Sequence, residues 1–173
     1  MNLATTNEAG AIYNTYLNSF KNEDGSVNWL PVCADAHGLV VNRDLFVQYG
    51  ILLPTDYAGF VAACKAFEEV GIRGYTADYL YDYTCMGLSA GELTTIAGRK
   101  WRTAYSDPAS NTRVGLDSTV WPDGFERMEQ FIQDTGLTAA DLELNYDDVT
   151  GMFGNGQLAM YFGSSAGVGM FQE

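Results

Sequence analysis

The sequence has few basic residues and no long apolar run. It contains 9 Lys and Arg against 22 Asp and Glu in 173 residues, a formal net charge of −13. Nucleic acids and anionic membrane surfaces bind clustered basic side chains, so this balance argues against both as partners. No segment approaches the roughly 20 apolar residues of a membrane-spanning helix. The opening MNLATTNE has neither a basic start nor an apolar core, so we expect no signal peptide in this chain.

Cysteines and cofactor motifs are also scarce. Cys33, Cys64 and Cys85 cannot all pair within the chain, and their spacing fits neither a zinc site nor a disulfide framework. The sequence has no phosphate-binding loop, dinucleotide-binding fingerprint or nucleophile elbow. It therefore predicts no cofactor, no metal and no catalytic residue.

What the sequence does contain is apolar and aromatic. Hydrophobic residues make up 47% of the chain and aromatic residues 13%, including 11 Tyr. A chain of this length and apolar content is expected to form one domain with a sizeable core. Tyrosine combines an apolar face with a polar tip, which suits carbohydrates and other amphipathic ligands.

Apolar periodicity and turn residues predict short strands alternating with helices, which is typical of an α/β layered domain. Trp29 and Trp121 are expected in its core. Helices are predicted over 8–20, 43–50, 54–70, 122–135 and 141–153. Strands are predicted over 27–33, 37–41, 72–77 and 156–162, followed by a Gly/Ser loop over 163–167.

Three stretches carry a resemblance to a known family. They are WLP at 29–31 followed by GLVVNRDLF at 38–46, then YGI at 49–51 with Pro54-Thr55, Phe60, Ala63 and Gly71, and finally MFGNGQLAMYFG at 152–163. In this order they resemble the family 1 extracellular solute-binding proteins, the sugar-capturing subunits of ABC importers. The sequence departs from the family pattern at Tyr57, where tryptophan is usual, and at Gln157, where a basic residue is usual.

The resemblance implies the second, C-terminal lobe of a two-lobe receptor. The fold would be α/β, periplasmic-binding-protein-like of type II, with a short mixed sheet layered with helices. Residues 1–26 would form a helix and turn leading to the crossover, and residues 27–173 the lobe itself. The first lobe and a lipoprotein signal would belong to an extracellular or periplasmic full-length parent.

The same resemblance implies a function without covalent chemistry. The ligand would be a small molecule, an oligosaccharide, held in the cleft between two lobes, with the missing first lobe and an ABC permease as partners. Two alternatives stay open. One is an isolated lobe that has no ligand of its own and is stable or self-associating. The other is a carbohydrate-active enzyme or accessory domain that uses Asp35 or Asp82 as an acid.

The first segment expected at the cleft follows the crossing segment. By resemblance, Asp35 takes the place of an acidic ligand-binding residue of maltose-type members. His37 lies two residues further on, so alternation in an extended segment would put both side chains on one side. A lone histidine beside an apolar strand is also consistent with a structural role.

The second segment is Tyr81-Asp82-Tyr83. Counted from Gly71, Tyr83 matches a sugar-stacking aromatic of maltose-type members, and Tyr81 falls where they have a binding carboxylate. The alternation of tyrosines from residue 75 to residue 83 is also consistent with a half-buried stripe that covers the core.

The third segment is the predicted loop Gly163-Ser164-Ser165. Maltose-type members have a stacking tryptophan in this loop, and its absence here suggests recognition through backbone N–H groups and hydroxyls. Trp101 is a further aromatic that could reach the rim of the cleft.

Overall fold

The computed structural model of this chain describes residues 2–81, 96–106, 120–165 and 167. Its residues form two compact units, 1–36 and 37–173. The predicted start of the second lobe at residue 27 stays a prediction.

The first unit consists of short helices around a small core. A 3-10 turn over Leu3–Thr5 precedes helix α1, Asn7–Gly10, and helix α2, Asn14–Asn18. The prediction of one helix over 8–20 is wrong, because the backbone leaves the helical conformation at Tyr13, where φ is −55° and ψ is 133°. The small core of Ala9, Leu17 and Val27 leaves Tyr13 exposed, so tertiary packing does not support a continuous helix.

The predicted strand over 27–33 is also wrong. Val27 makes an isolated bridge to Lys21, and residues 28–36 have no regular structure. Pro31 has no N–H for a strand ladder, and none of the described strands pairs with residues 28–36. Trp29 is 74% exposed, which corrects its expected place in the core.

The second unit contains the sheet. Strands β1, His37–Val41, β2, Arg73–Thr76, and β3, Leu158–Ser164, are arranged in the order β1-β3-β2. Strand β3 runs antiparallel to β1 and parallel to β2, so the expected short mixed sheet is confirmed. Gly163 and Ser164 belong to β3 and not to a loop, because they pair with Gly38 and His37 of β1.

Helices surround this sheet. They are α3, Arg43–Tyr49, α4, Tyr57–Glu69, α5, Ile96–Ser106, α6, Trp121–Thr135, and α7, Tyr146–Gly154, with a 3-10 turn over Ala139–Glu143. The starts of α3, α4 and α7 are fixed by Asn42, Asp56 and Asn145, whose side-chain oxygens accept backbone N–H bonds. Gly50 and Gly136 end α3 and α6 at φ 66° and 69°.

Each face of the sheet has its own apolar layer. Val41, Met160 and Tyr75 form one row across the three strands and pack in the cluster that contains residues of α3 and α4. On the other face, Val40 and Tyr161 pack against Val149 and Phe153 of α7. The lobe is therefore a layered α/β structure, as the alternation of strands and helices predicted.

Two features lock α4 and β2 together. A Cβ at Gly74 would lie 2.5 Å from Cys64 Cα, so glycine permits the close approach of strand and helix. The Arg73 guanidinium donates to Asp141 at 2.6 Å and to Glu68, on α4, at 2.9 Å. Thr76 Oγ1 also donates to Asp141, at 2.8 Å. These bonds join β2, α4 and the 3-10 turn.

Asp141 is the buried centre of this network. Burial raises the pKa of its carboxyl. The hydrogen bonds from the Thr138 backbone, Thr76 and the Thr138 hydroxyl, together with the Arg73 charge, outweigh burial and leave that pKa below its ordinary value. The ionised carboxylate therefore stabilises the folded lobe.

Candidate functional site

One edge of the sheet brings together segments that the sequence singled out. Because β2 and β3 are parallel, their carboxyl ends lie at the same edge. Because β1 is antiparallel to β3, its first residue, His37, lies opposite Ser164 at that edge. Ligand sites of open α/β sheets form outside the carboxyl ends of strands. This edge, from here on the sheet edge, is the candidate site.

An aromatic pair lies on one face of the sheet edge. The rings of His37 and Phe162 are stacked, with centroids 6.0 Å apart and planes 21° from parallel. Phe162 is 50% exposed, and its partner in the ladder, Leu39, is 40% exposed. Strand β2 ends opposite Tyr161, so none of the three described strands other than β1 and β3 extends beside these residues. Phe162 is not among the predicted site residues, because its period-2 spacing from buried Met160 indicates a core position and only the end of β2 leaves it exposed.

Tyr161 explains the glycine at position 163. A Cβ on Gly163 would lie 2.6 Å from Tyr161 Cε2 and 3.1 Å from Val40 Cγ2, so a larger residue would push the buried ring aside. Ser164 is half-buried and Ser165 exposed. The Ser164 carbonyl accepts the Gly167 N–H at 3.1 Å, which closes a turn and leaves serine hydroxyls at the edge.

The segment after β2 divides into buried and exposed tyrosines. Tyr75 and Tyr79 are buried, and the Tyr79 hydroxyl donates to Tyr75 Oη at 3.4 Å. Burial raises the pKa of Tyr75 to about 12. Tyr81 is 40% exposed, in a turn where its N–H donates to the Asp78 carbonyl at 3.2 Å. The first part of the tyrosine stripe is therefore core, and Tyr81 is partly exposed in the turn that follows β2.

Three predicted site residues are not brought to the sheet edge by the described structure. Asp82 and Tyr83 lie outside the described residues. Asp35 is exposed and belongs to the first unit, so its place beside His37 stays a prediction. His37, Tyr81, Gly163, Ser164 and Ser165 all belong to the sheet edge or to the turn that follows a strand there.

Shallow depressions also occur between α4 and α6. One is lined by Tyr57, Arg127, Met128, Gln130 and Phe131. The Tyr57 hydroxyl donates to Asp134 at 2.9 Å. Burial, with the Asp134 hydrogen bond and charge, raises the pKa of Tyr57 to about 12. A second depression lies between the end of α4, near Cys64 and Glu69, and the end of α6, near Gln133 and Gly136. Among the described residues, neither lining includes the sheet edge.

The chemistry of the sheet edge is that of ring faces and hydroxyls. Phe162, His37 and Tyr81 supply planar surfaces, and Ser164 and Ser165 supply donors and acceptors. Over residues 2–81, 96–106, 120–165 and 167, no group of three or more His, Cys, Asp or Glu could hold a metal ion. In the same residues, no helix is long and apolar enough to cross a membrane. The edge can bind an amphipathic ligand through shape and hydrogen bonds.

Solved structures of similar fold are numerous. RafE from Streptococcus pneumoniae, in its apo form, superposes with a TM-score of 0.73 at 19% identity and covers 99% of this chain and 44% of RafE. RafE in complex with raffinose gives a TM-score of 0.71. A probable secreted solute-binding lipoprotein from Streptomyces coelicolor gives 0.72 at 17% identity, over 96% of this chain and 42% of the lipoprotein. These likenesses confirm the type II periplasmic-binding-protein-like fold.

The chain spans less than half the length of these structures. No curated protein sequence matches it significantly. The family described as bacterial extracellular solute-binding protein matches the chain over residues 1–173, its whole length. The chain therefore belongs to the bacterial extracellular solute-binding protein family.

Proposed function

We propose that this chain is the second lobe of a receptor that captures an oligosaccharide for an ABC importer. The ligand lies against the sheet edge, a first lobe closes over it, and a permease receives it unchanged. The observation that carries the proposal is the aromatic and hydroxyl-bearing sheet edge in a member of a solute-binding family. RafE, of similar fold, is known in complex with raffinose, which supports a saccharide ligand.

The residues of the sheet edge match the two surfaces of a sugar. Sugar rings present C–H groups on their faces and hydroxyls at their edges. Phe162 and Tyr81 accept the faces, and Ser164, Ser165 and His37 bond the hydroxyls. Asp35, Asp82 and Tyr83 complete the proposed site, with a carboxylate for hydroxyls and a second stacking ring. The full-length parent is anchored outside the cell as a lipoprotein.

One lobe supplies only part of such a binding site. If the missing lobe contributes about 4 kcal/mol, a micromolar ligand binds the isolated chain about a thousandfold more weakly, at about millimolar Kd. Binding assays of this chain therefore need millimolar saccharide.

Calorimetric titration with malto-, xylo- and raffinose-type oligosaccharides tests the proposal. We expect Phe162→Ala to weaken binding of the preferred saccharide about tenfold, because a stacked aromatic face contributes about 1 kcal/mol or more. Val47→Ala is the matched control, since Val47 is 81% exposed on α3 and lies outside the sheet edge. Equal affinity of wild type and Phe162→Ala would place the ligand elsewhere.

A lobe without a ligand of its own is the second candidate, favoured by the exposure of Leu39 and Phe162. Exposed apolar side chains at a former lobe contact promote self-association. Light scattering separates the two. A dimer that Phe162→Ala dissociates, together with no saccharide binding, would support this second candidate. Chromatography of the saccharide after incubation tests the enzyme alternative, which requires a changed product.

A further inference from the structure

Helices α5 and α6 carry an aromatic cluster apart from the sheet edge. The rings of Trp101 and Tyr105 are stacked, with centroids 5.1 Å apart and planes 19° from parallel. Trp121 meets Trp101 edge-on at 5.8 Å and lies 5.9 Å from Phe125. Trp121 is half-buried in this cluster, which corrects its expected place in the core. Tyr105 is 73% exposed, so most of its ring faces solvent.

The same helix carries a concentration of positive charge. Arg99, Lys100 and Arg102 are three of the nine basic residues of the chain, and all three are exposed. In the part of the chain that the structure describes, the ion pairs involve Arg73 and none of these three. Arg102 precedes Tyr105 by three positions, so the two side chains are neighbours on the helix surface.

The cluster lies at the same end of the second unit as the sheet edge. Helix α6 ends at Gly136, whose carbonyl accepts a bond from Arg73 at the start of β2. Phe131 of α6 packs against Tyr75 near the end of β2, with ring centroids 5.4 Å apart. Trp121 begins the same helix, about 15 Å before Phe131 at 1.5 Å per residue. The aromatic cluster therefore lies beyond the carboxyl end of β2.

We propose that Tyr105 and Arg102 form a second saccharide subsite, selective for an acidic sugar such as a uronate. A pyranose ring stacks on the open face of Tyr105, and its carboxylate accepts hydrogen bonds from the Arg102 guanidinium. Arg99 and Lys100 strengthen the local positive potential in a chain that repels anions elsewhere. The subsite shares with the proposed function only the premise that the ligand is a saccharide.

Titration of the chain with trigalacturonate and with neutral maltotriose tests this subsite. We expect Arg102→Gln and Tyr105→Ala each to weaken trigalacturonate binding about tenfold, whereas Tyr105→Phe, which keeps the ring, binds like wild type. Maltotriose binding should not change in Arg102→Gln. Raising the salt concentration from 50 to 500 mM NaCl should weaken trigalacturonate alone, because salt screens exposed charges.

Three results would overturn the subsite. The first is trigalacturonate binding that is absent or insensitive to both variants. The second is an equal loss in Arg43→Gln, an exposed cation on α3, which would indicate general charge attraction. The third is Arg102-dependent binding to vesicles of anionic phospholipid without trigalacturonate binding, which would assign the surface to a membrane. The proposed function is judged separately, by the effect of Phe162→Ala on neutral saccharides.

Discussion

Substituting alanine for Gly74 should separate the strand and helix at the centre of the lobe. The new Cβ would lie 2.5 Å from Cys64 Cα and 2.7 Å from the Cys64 carbonyl oxygen, whereas ordinary contacts lie at 3.4–4 Å. Both obstructing atoms are backbone, so a side-chain rotation cannot relieve the clash. Helix α4 or strand β2 must move by about 1 Å.

That movement disturbs the largest apolar cluster of the lobe. Phe60, Cys64 and Phe67 of α4 pack there with Tyr75 of β2. Overpacking of a close-packed core costs 1–3 kcal/mol or more, and a backbone clash belongs at the upper end, so we expect about 3 kcal/mol. For a chain of this size that loss lowers Tm by about 6–12 °C.

Urea denaturation followed by circular dichroism measures this loss. Gly151→Ala is the matched control, because Gly151 is an exposed position of α7 and a Cβ there meets no atom within 4 Å. Alanine in a helix interior should stabilise the lobe by about 0.5–1 kcal/mol. A Gly74→Ala protein that unfolds at the same urea concentration as wild type would refute the close approach of α4 and β2.

Three further predictions test other parts of the lobe. Asp141→Asn should lower the free energy of unfolding at pH 7 by about 2 kcal/mol, since it removes the closer of the two carboxylates that pair with the half-buried Arg73 guanidinium. Folding lowers the Asp141 pKa, so the difference in unfolding free energy between wild type and Asp141→Asn should be constant above about pH 5. In urea titrations it should shrink as the pH falls below about 4, because the wild-type carboxylate is then protonated. A difference that does not change with pH would contradict the pairing of Asp141 with Arg73. Burial and the Glu68 charge raise the pKa of Cys64 to about 12. In Cys33→Ser/Cys85→Ser protein, a thiol reagent should therefore label Cys64 only after unfolding, and rapid labelling of the native protein would contradict its burial. Asn145→Ala should cost about 1 kcal/mol in the same assay through loss of the α7 cap, and an unchanged midpoint would show that the cap is dispensable.

Elements with complete local signals could be predicted from the sequence. Asn42 and Gly50 bracket α3, and Asp56 with Gly71 bounds α4, because caps and left-handed glycines act within a few residues. The strand predicted over 37–41 is also confirmed, since a short apolar run of this length favours a strand. For these elements, local chemistry and tertiary packing agree.

The errors lie where distant residues decide the outcome. The apolar run after Val27 has the composition of a strand, yet no strand in the described part of the chain pairs with it, and residues 28–36 are irregular. Ser164 looks like a loop residue, yet β1 extends far enough to pair with it. Phe162 was missed because its exposure depends on where β2 ends, 86 positions earlier in the chain at Thr76.

The strand order has a consequence for how the lobe is made. Strand β3 lies between β1 and β2 in space but comes last in sequence among the three described strands. A ribosome releases β1 and β2 more than 80 residues before the strand that joins them, so neither can enter the sheet until residues 158–164 emerge. Until then, the apolar faces of α3 and α4 have no sheet to cover. The order of synthesis therefore exposes apolar helix faces before the sheet can form, which is the condition under which partly folded chains aggregate.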